Sequence, residues 1–351
     1  MRSNPVEQRN SLSSSLAKAL ERRQPLIARL QAEHTDAYRL FHGSVEGRPG
    51  LTVDRYGRYL LAMVFWDPLT AQELGCLHSL AHELQLQLIV WERQEKGRSL
   101  VRHRDEAPPV PALAQGEGWS LEAICHEQGQ SFAIAPYSHG KDPYLFLDFR
   151  AGRRWLRREV KADQTVLNLF SYTCGAGVAA VANGGQVVNV DFSRWCLEIG
   201  RQNGNLNGIG KSRFQTWQED VFPILRQVSG LGVKGRAAQR RYLKVPQQRF
   251  DVIVLDPPTV ASSPFGKVDL RCDYASMFKP CLLALNAGGR ILATNHHAEV
   301  SWDEWERSLK RTATKIGLPE PQVERLLPEE DFPSFDGEQP LKMAVVRPVY
   351  K

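Results

Sequence analysis

No stretch of this chain approaches eighteen uninterrupted apolar residues, which excludes a membrane-spanning helix read from sequence. Residues 1–15 are polar and lack the apolar run of a secretory leader, so a cytoplasmic location is expected. Cysteine is scarce: six residues, at 76, 125, 174, 196, 272 and 281, none forming a C-x-x-C pair. Neither a zinc site of ordinary spacing nor a disulfide framework is expected, and the thiols read as free. No internal repeat or low-complexity tract is present. Nor is there charge of one sign only: 45 Lys and Arg against 39 Asp and Glu leave a net +6.

What remains is an ordinary folded composition over 351 residues, 42% hydrophobic and 24% charged. That length predicts about two domains. Residues 11–33 carry Leu16, Leu20, Leu26, Ile27 and Leu30 at helical spacing, with Pro25 interrupting. Two short helices or one kinked helix are expected. Residues 38–66 read as strands with turns at 47–50 and 56–57, 70–85 as an amphipathic helix, and 86–95 and 120–135 as further strands. Pro108, Pro109 and Pro111 mark a loop between those two. This gives an N-terminal helical segment, 1–35, and a small α+β domain, 36–138.

The period then changes. Apolar strands at 165–170, 186–191, 213–217, 250–256 and 289–295 alternate with helical stretches at 144–160, 176–183, 193–207, 271–286 and 302–316. Segments 321–327 and 341–350 read as an antiparallel edge. The expectation for 139–351 is a Rossmann-like α/β domain, its sheet mostly parallel.

Residues 166–177, VLNLFSYTCGAG, form a strand, a turn with Gly175 and Gly177, and the start of a helix. Glycines there permit a tight turn and a close approach of backbone to ligand. Fourteen residues past Gly177 the next strand ends in Asp191, placed to accept from ribose hydroxyls. The pattern Gly175-x-Gly177-x-x-Ala180 also fits a dinucleotide fingerprint, which keeps an NAD-dependent oxidoreductase open. Residues 250–259, FDVIVLDPPT, are a buried strand ending in Asp256-Pro257-Pro258. The prolines fix the backbone there and expose the carboxylate at the same sheet edge. A nicotinamide enzyme has no use for that element, whereas a methyl-transfer site for a nucleobase does.

Together these residues resemble the class I S-adenosylmethionine-dependent methyltransferases, specifically the bacterial large-subunit ribosomal RNA group with its cytosine-C5 and guanine-N7 branches. The resemblance is carried by 36–41 (DAYRLF), 47–56 (GRPGLTVDRY), Trp91-Glu92-Arg93, His126-Glu127, 142–150 (DPYLFLDFR), 168–173 (NLFSYT), 190–193 (VDFS) and 256–259 (DPPT). It implies that residues 170–177 cradle the methionine part of S-adenosylmethionine, Asp191 holds the ribose, Glu219-Asp220-Val221 contact the adenine, and Asp148 and Arg150 line the pocket. Asn168, Phe170, Ser171, Tyr172, Gly175, Gly177, Phe192, Ser193 and Asp256 complete the implied cofactor set. The RNA-binding PUA module of the cytosine enzymes is not recognisable. Lys141-Asp142-Pro143 replaces a Lys-Thr-Gly element, and Val260 stands where members carry Phe, with Phe265 as a substitute stacking surface.

Cytosine-C5 methylation needs a cysteine thiolate to activate the ring. C5 members of the group place it after the fifth strand, where residues 292–297 here read LATNHH. A guanine nitrogen is therefore the expected acceptor, with Asn295 on the base edge, beside the catalytic elements Asp256, Pro257 and Pro258. His296 and His297 read as polar loop residues, narrowly ahead of a role on the base, and no metal is expected. Between Arg226 and Arg249 there is no acidic residue. Arg236, Arg240, Arg241 and Lys244 in that window are candidate RNA contacts. Arg150, Arg153, Arg154, Arg157 and Arg158 share one helix face as a second basic cluster. The expected partner is large-subunit ribosomal RNA; cytosine-C5 methylation, which Cys272 or Cys281 on the preceding helix would have to serve, and a catalytically silent RNA-binding relative remain alternatives.

Overall fold

A computed structural model describes residues 11–93, 99–105, 123–135, 142–234 and 238–349. The expected domain boundary at 138, the prolines at 108–111, Lys141 and Arg236 lie outside them. Two compact units result: residues 1–147 with 329–337, and 148–328 with 338–351.

In the first unit α1 (Leu12–Ala32) begins at Ser11, whose side chain accepts from the Ser14 N–H at 3.3 Å. Pro25 lies inside one continuous helix. Leu12, Leu16 and Ala19 before it and Leu26 and Leu30 after it enter the same core. Shared burial holds both halves to one helix despite the lost hydrogen bond. Strands β1 (Ala37–His42), β2 (Leu51–Tyr56), β3 (Tyr59–Val64), β4 (Gln87–Arg93) and β5 (Ser99–Arg104) form a sheet in that order, antiparallel except for β3 with β4. The short α2 (Gly43–Glu46) follows β1, and α3 (Ala71–Glu83) makes the β3–β4 crossover behind a Thr70/Glu73 capping box. Strands β6 (Ala123–Glu127) and β7 (Gln130–Ile134) pair separately.

Segment 329–337 belongs to this unit by its contacts. Arg23 and Glu46, both buried, form a two-pronged ion pair at 2.7 and 3.0 Å, and Arg23 also donates to the Asp331 carbonyl. The Asp331 carboxylate accepts from the Arg39 N–H at 2.9 Å, and the Arg39 guanidinium lies 4.6 Å from the Phe332 ring.

The second unit runs α4 (Arg150–Glu159), β8 (Thr165–Leu169), α5 (Gly175–Ala180), β9 (Gln186–Asp191), α6 (Arg194–Leu206), β10 (Phe214–Gln218), α7 (Val221–Val228), β11 (Phe250–Leu255), β12 (Val260–Ser262), β13 (Lys267–Asp269), α8 (Tyr274–Leu283), β14 (Leu285–Asn295), α9 (Trp302–Lys315), β15 (Gln322–Leu326) and β16 (Lys342–Arg347). The main sheet has the order β10-β9-β8-β11-β14-β16-β15. Its first five strands are parallel; β16 is antiparallel to β14 and β15. The Rossmann-like expectation with an antiparallel C-terminal edge holds. Chain order reverses between β8 and β11, and ligands of such sheets bind outside the carboxyl ends at that point.

The β12–β13 hairpin was not expected from the sequence. The basic face expected of α4 is largely internal: Arg150 and Arg153 are 1% and 2% exposed, and only Arg158 of the five is fully exposed.

Candidate active site

Four corners converge on the carboxyl edge. The first follows β8. Phe170, Tyr172 and Cys174 all have left-handed backbones (φ 55°, 47° and 61°), uncommon for residues with side chains. Such strain persists where surrounding contacts over-determine it, often at ligand clamps. Gly175 opens α5 from this turn. At Gly177 a Cβ would lie 2.1 Å from the Asn189 side-chain oxygen. Its smallness lets α5 close on β9. Asn168 is turned away from the edge. Its amide donates to Asn189 at 2.8 Å, and Asn189 donates to the Gln215 carbonyl. The two buried asparagines thus carry a polar ladder across the sheet to the Gln215 backbone.

The second corner is Asp191, 8% exposed. One carboxylate oxygen accepts from the Tyr172 N–H and the other from the Ser193 N–H, both at 2.9 Å. Burial raises its pKa, opposed by those two donors. The carboxylate thus ties the β8 turn to the β9 turn. Ser193 caps α6 by accepting from Cys196 N–H, while the Phe192 ring is 71% exposed.

The third corner follows β10. Asp220 caps α7, accepting from the Phe222 N–H at 2.8 Å. Burial raises its pKa, with the Ser263 hydroxyl and the Phe222 N–H opposing. The Val221 side chain is buried in the core, leaving its backbone for any ligand contact.

At the fourth corner Asp256 ends β11. Its Oδ1 accepts from the Thr294 hydroxyl at 2.5 Å and pairs with His296 Nε2 at 2.9 Å. Oδ2 has no hydrogen bond among the described residues. Burial works against a charge on His296, but the hydrogen bond to Asp256 and the charges of Asp256 and Asp148 outweigh it, with Lys342 opposing. The imidazole pKa is raised. His296, expected as a bland loop residue, is therefore part of this corner. Sequence gives no hint of it, because the pairing depends on the β11–β14 register that sets Leu255 beside Ala293.

Asn295 does not take the place expected of it. It is 0% exposed, donates to the Leu270 carbonyl and accepts from the His297 N–H. Neither end of its amide is left for a base edge. Pro257 is buried and Pro258 exposed; Val260, 63% exposed, starts the hairpin. Phe265 packs edge-on against Tyr242, centroids 6.0 Å apart. Asp148 lies half-buried just before α4, and Arg150 is buried within its first turn. Ser171 is buried in the β8 turn and Tyr172 half-buried.

A nucleotide-like ligand fits this edge: a strained turn, a held carboxylate beside an exposed ring, and a capped acid in consecutive corners. Fold and site define a Rossmann-like methyltransferase. Residues 38–347 match the family of S-adenosylmethionine-dependent methyltransferases, and the chain belongs to that family. S-adenosylmethionine is its methyl donor. Over 304 residues, 86% of this chain, it is 28% identical to the Ribosomal RNA large subunit methyltransferase I of Escherichia coli (strain E24377A), covering 72% of that protein. The same figures hold for the protein of that name from Shigella flexneri serotype 5b. Its fold matches SMU.776, assigned as a methyltransferase and solved in complex with SAH (21% identity, 95% of this chain and 80% of that one, TM-score 0.75). It also matches a protein from Streptococcus mutans assigned as SAM-dependent (20%, 97% and 83%, TM-score 0.72). Among the described residues no helix is long and apolar enough to cross a membrane.

Proposed function

We propose that this chain methylates large-subunit ribosomal RNA at a guanine nitrogen. The observation that carries the reading is the Asp256 carboxylate, one oxygen held by Thr294 and His296 and the other open at the sheet edge. Similarity to proteins named for ribosomal RNA supplies the polymer class.

The bound donor supplies an electrophilic methyl carbon on a sulfonium. In this reading the 170–175 turn takes its methionine part. Asp191 accepts from the ribose hydroxyls, the Phe192 ring flanks the adenine, and Asp220 with the Val221 backbone meets the adenine edge. Asp148 and Arg150 support the pocket wall. Asp256 Oδ2 accepts from the N–H edge of guanine and holds the ring with a nitrogen in line with the methyl group. Positive charge grows on the ring as that nitrogen attacks, and a fixed carboxylate beside it lowers the barrier. For an exocyclic amine, the departing proton has Oδ2 as its nearest acceptor.

A cytosine-C5 acceptor requires a thiolate instead. Cys281 is 0% exposed in the core, and Cys174 is equally buried; burial pushes both thiols well above the ordinary cysteine range. Cys272 is the exposed thiol, at the approach to α8 and two residues past the Leu270 that Asn295 holds, and it keeps the C5 reading testable.

The test is nucleoside mass spectrometry on a large-subunit rRNA transcript incubated with the protein and isotopically labelled donor. Labelled methylguanosine is expected, with Cys272→Ser equally active. Labelled 5-methylcytidine, together with an inactive Cys272→Ser, would replace guanine by cytosine. Tight RNA binding with no label would mark a silent relative. Calorimetry should show S-adenosylhomocysteine binding and no binding of NAD.

A further inference from the structure

Within the acid-free stretch between Arg226 and Arg249, residues 238–249 do not hang free of the domain. That segment is fastened at three points. The Leu243 N–H donates to Glu219 Oε2 at 2.6 Å, at the end of β10. The Gln227 amide grips the Leu243 carbonyl and the Val245 N–H. Tyr242 rests edge-on against Phe265 at the hairpin tip, and Lys244 Nζ lies 3.5 Å from the centre of the Tyr242 ring.

Those fastenings fix where the positive charge lies. The β12–β13 hairpin leaves Asp256 on β11, and its turn reaches the opposite corner. Ser263 sits beside Asp220 there, and Gly266 lies against the Phe222 ring so closely that a Cβ would meet it at 2.8 Å. Three strand spacings separate β11 from β10, about 14 Å. The hairpin therefore makes a continuous rim along the carboxyl edge, from the acceptor acid to the basic segment. Arg240, Arg241 and Lys244 are exposed and have no carboxylate partner among the described residues.

We infer that residues 240–245 are a docking strip for the RNA phosphate backbone, set at the adenine end of the rim. The inference rests on the RNA reading above. A strand whose target base lies at Asp256 runs its neighbouring phosphates over the strip within two or three nucleotides. Cations carried on a backbone pinned to Glu219 and Gln227 lose less freedom on binding than those of an unpinned basic loop. Their contribution is electrostatic and screened by salt.

The experiment compares the full-length protein with its Arg240→Gln/Arg241→Gln/Lys244→Gln variant, both with S-adenosylhomocysteine present. The probes are a short fluorescent single-stranded RNA for binding and a large-subunit rRNA transcript for kinetics. The variant should lose about tenfold in RNA affinity at low salt, and the slope of log affinity on log salt should shrink by about 2. KM for the transcript should rise with kcat little changed, and S-adenosylhomocysteine affinity should match wild type. Equal RNA affinity and equal salt slope for the two proteins overturn the strip, as does absence of RNA binding by wild type. Salt-dependent binding that the variant loses, without methyl transfer by wild type, upholds the strip and refutes the catalytic reading alone. A single Tyr242→Ala variant, which removes the ring between Lys244 and Phe265, should weaken RNA binding in the same direction with all cations retained.

Discussion

Asp256 has two jobs for its two oxygens, and its neighbours decide which does which. Thr294 and His296 both converge on Oδ1. Replacing the acid by Asn keeps the shape but removes the charge proposed to face the acceptor ring. Asp256→Asn should cut kcat by about a hundredfold or more while S-adenosylhomocysteine affinity stays near wild type, since the proposed donor contacts lie mainly at the other corners. Radiolabel transfer and calorimetry on the same preparation check both halves. His296 adds a pH signature. Its pKa is raised above 6.5 in the fold, so the imidazolium stabilises the folded state fully below pH 6.5. That contribution is lost as pH rises through the folded value. The urea midpoint of wild type should fall across that window relative to His296→Gln, and parallel curves would show an uncharged pair. Asp256 was readable in the sequence because an apolar run stops at an acid followed by two prolines. His296 was not, because its partner is forty residues away and only strand register brings them together. Asn295 misled for a related reason: an amide at a strand end can face the ligand or the chain behind it, and here Leu270 and His297 take both its ends.

At the level of elements, α5 sits on β9 through Gly177. In a free helix Ala would be favoured over Gly by about 1 kcal/mol. Here the added Cβ meets Asn189, and overpacking of this kind costs about 1–3 kcal/mol. Gly177→Ala should lower the melting temperature, and adding Asn189→Ala should restore part of the loss; an unchanged Gly177→Ala protein would show that the helix can shift freely. The glycine was visible in the sequence, but its purpose was not, because a ligand and a neighbouring strand demand the same absent side chain. Parallel strands were legible from their apolar runs, each recovered within a residue or two apart from β14, which starts earlier. The β12–β13 hairpin was not: two three-residue strands carry too little periodicity to stand out. Its position comes from Phe222, Asp220 and Tyr242, all remote in sequence.

For the molecule as a whole, the two units are not consecutive lengths of chain. Residues 329–337 leave the second unit between β15 and β16 and complete the first. Asp331 accepts from the Arg39 backbone while the buried Arg23 and Glu46 pair beside its carbonyl. Asp331→Ala leaves the Arg39 N–H without that acceptor, a loss of about 1–3 kcal/mol. Hydrogen exchange should localise the added opening to β1 and α1, with β8–β11 unaffected; uniform change across both units would refute the assignment. A nine-residue polar segment has no pattern that marks it as the missing piece of another unit. Its place is set by charged partners some three hundred residues earlier.

That threading bears on how the protein is made. The first 147 residues leave the ribosome well before Glu329–Gly337 are synthesised. At about 5–20 residues per second the interval is on the order of 10–40 s. Through that time Arg23 and Glu46 have each other, but Arg39 has no Asp331 to receive its N–H. Until residues 329–337 are translated, the nascent N-terminal unit lacks the segment that completes it.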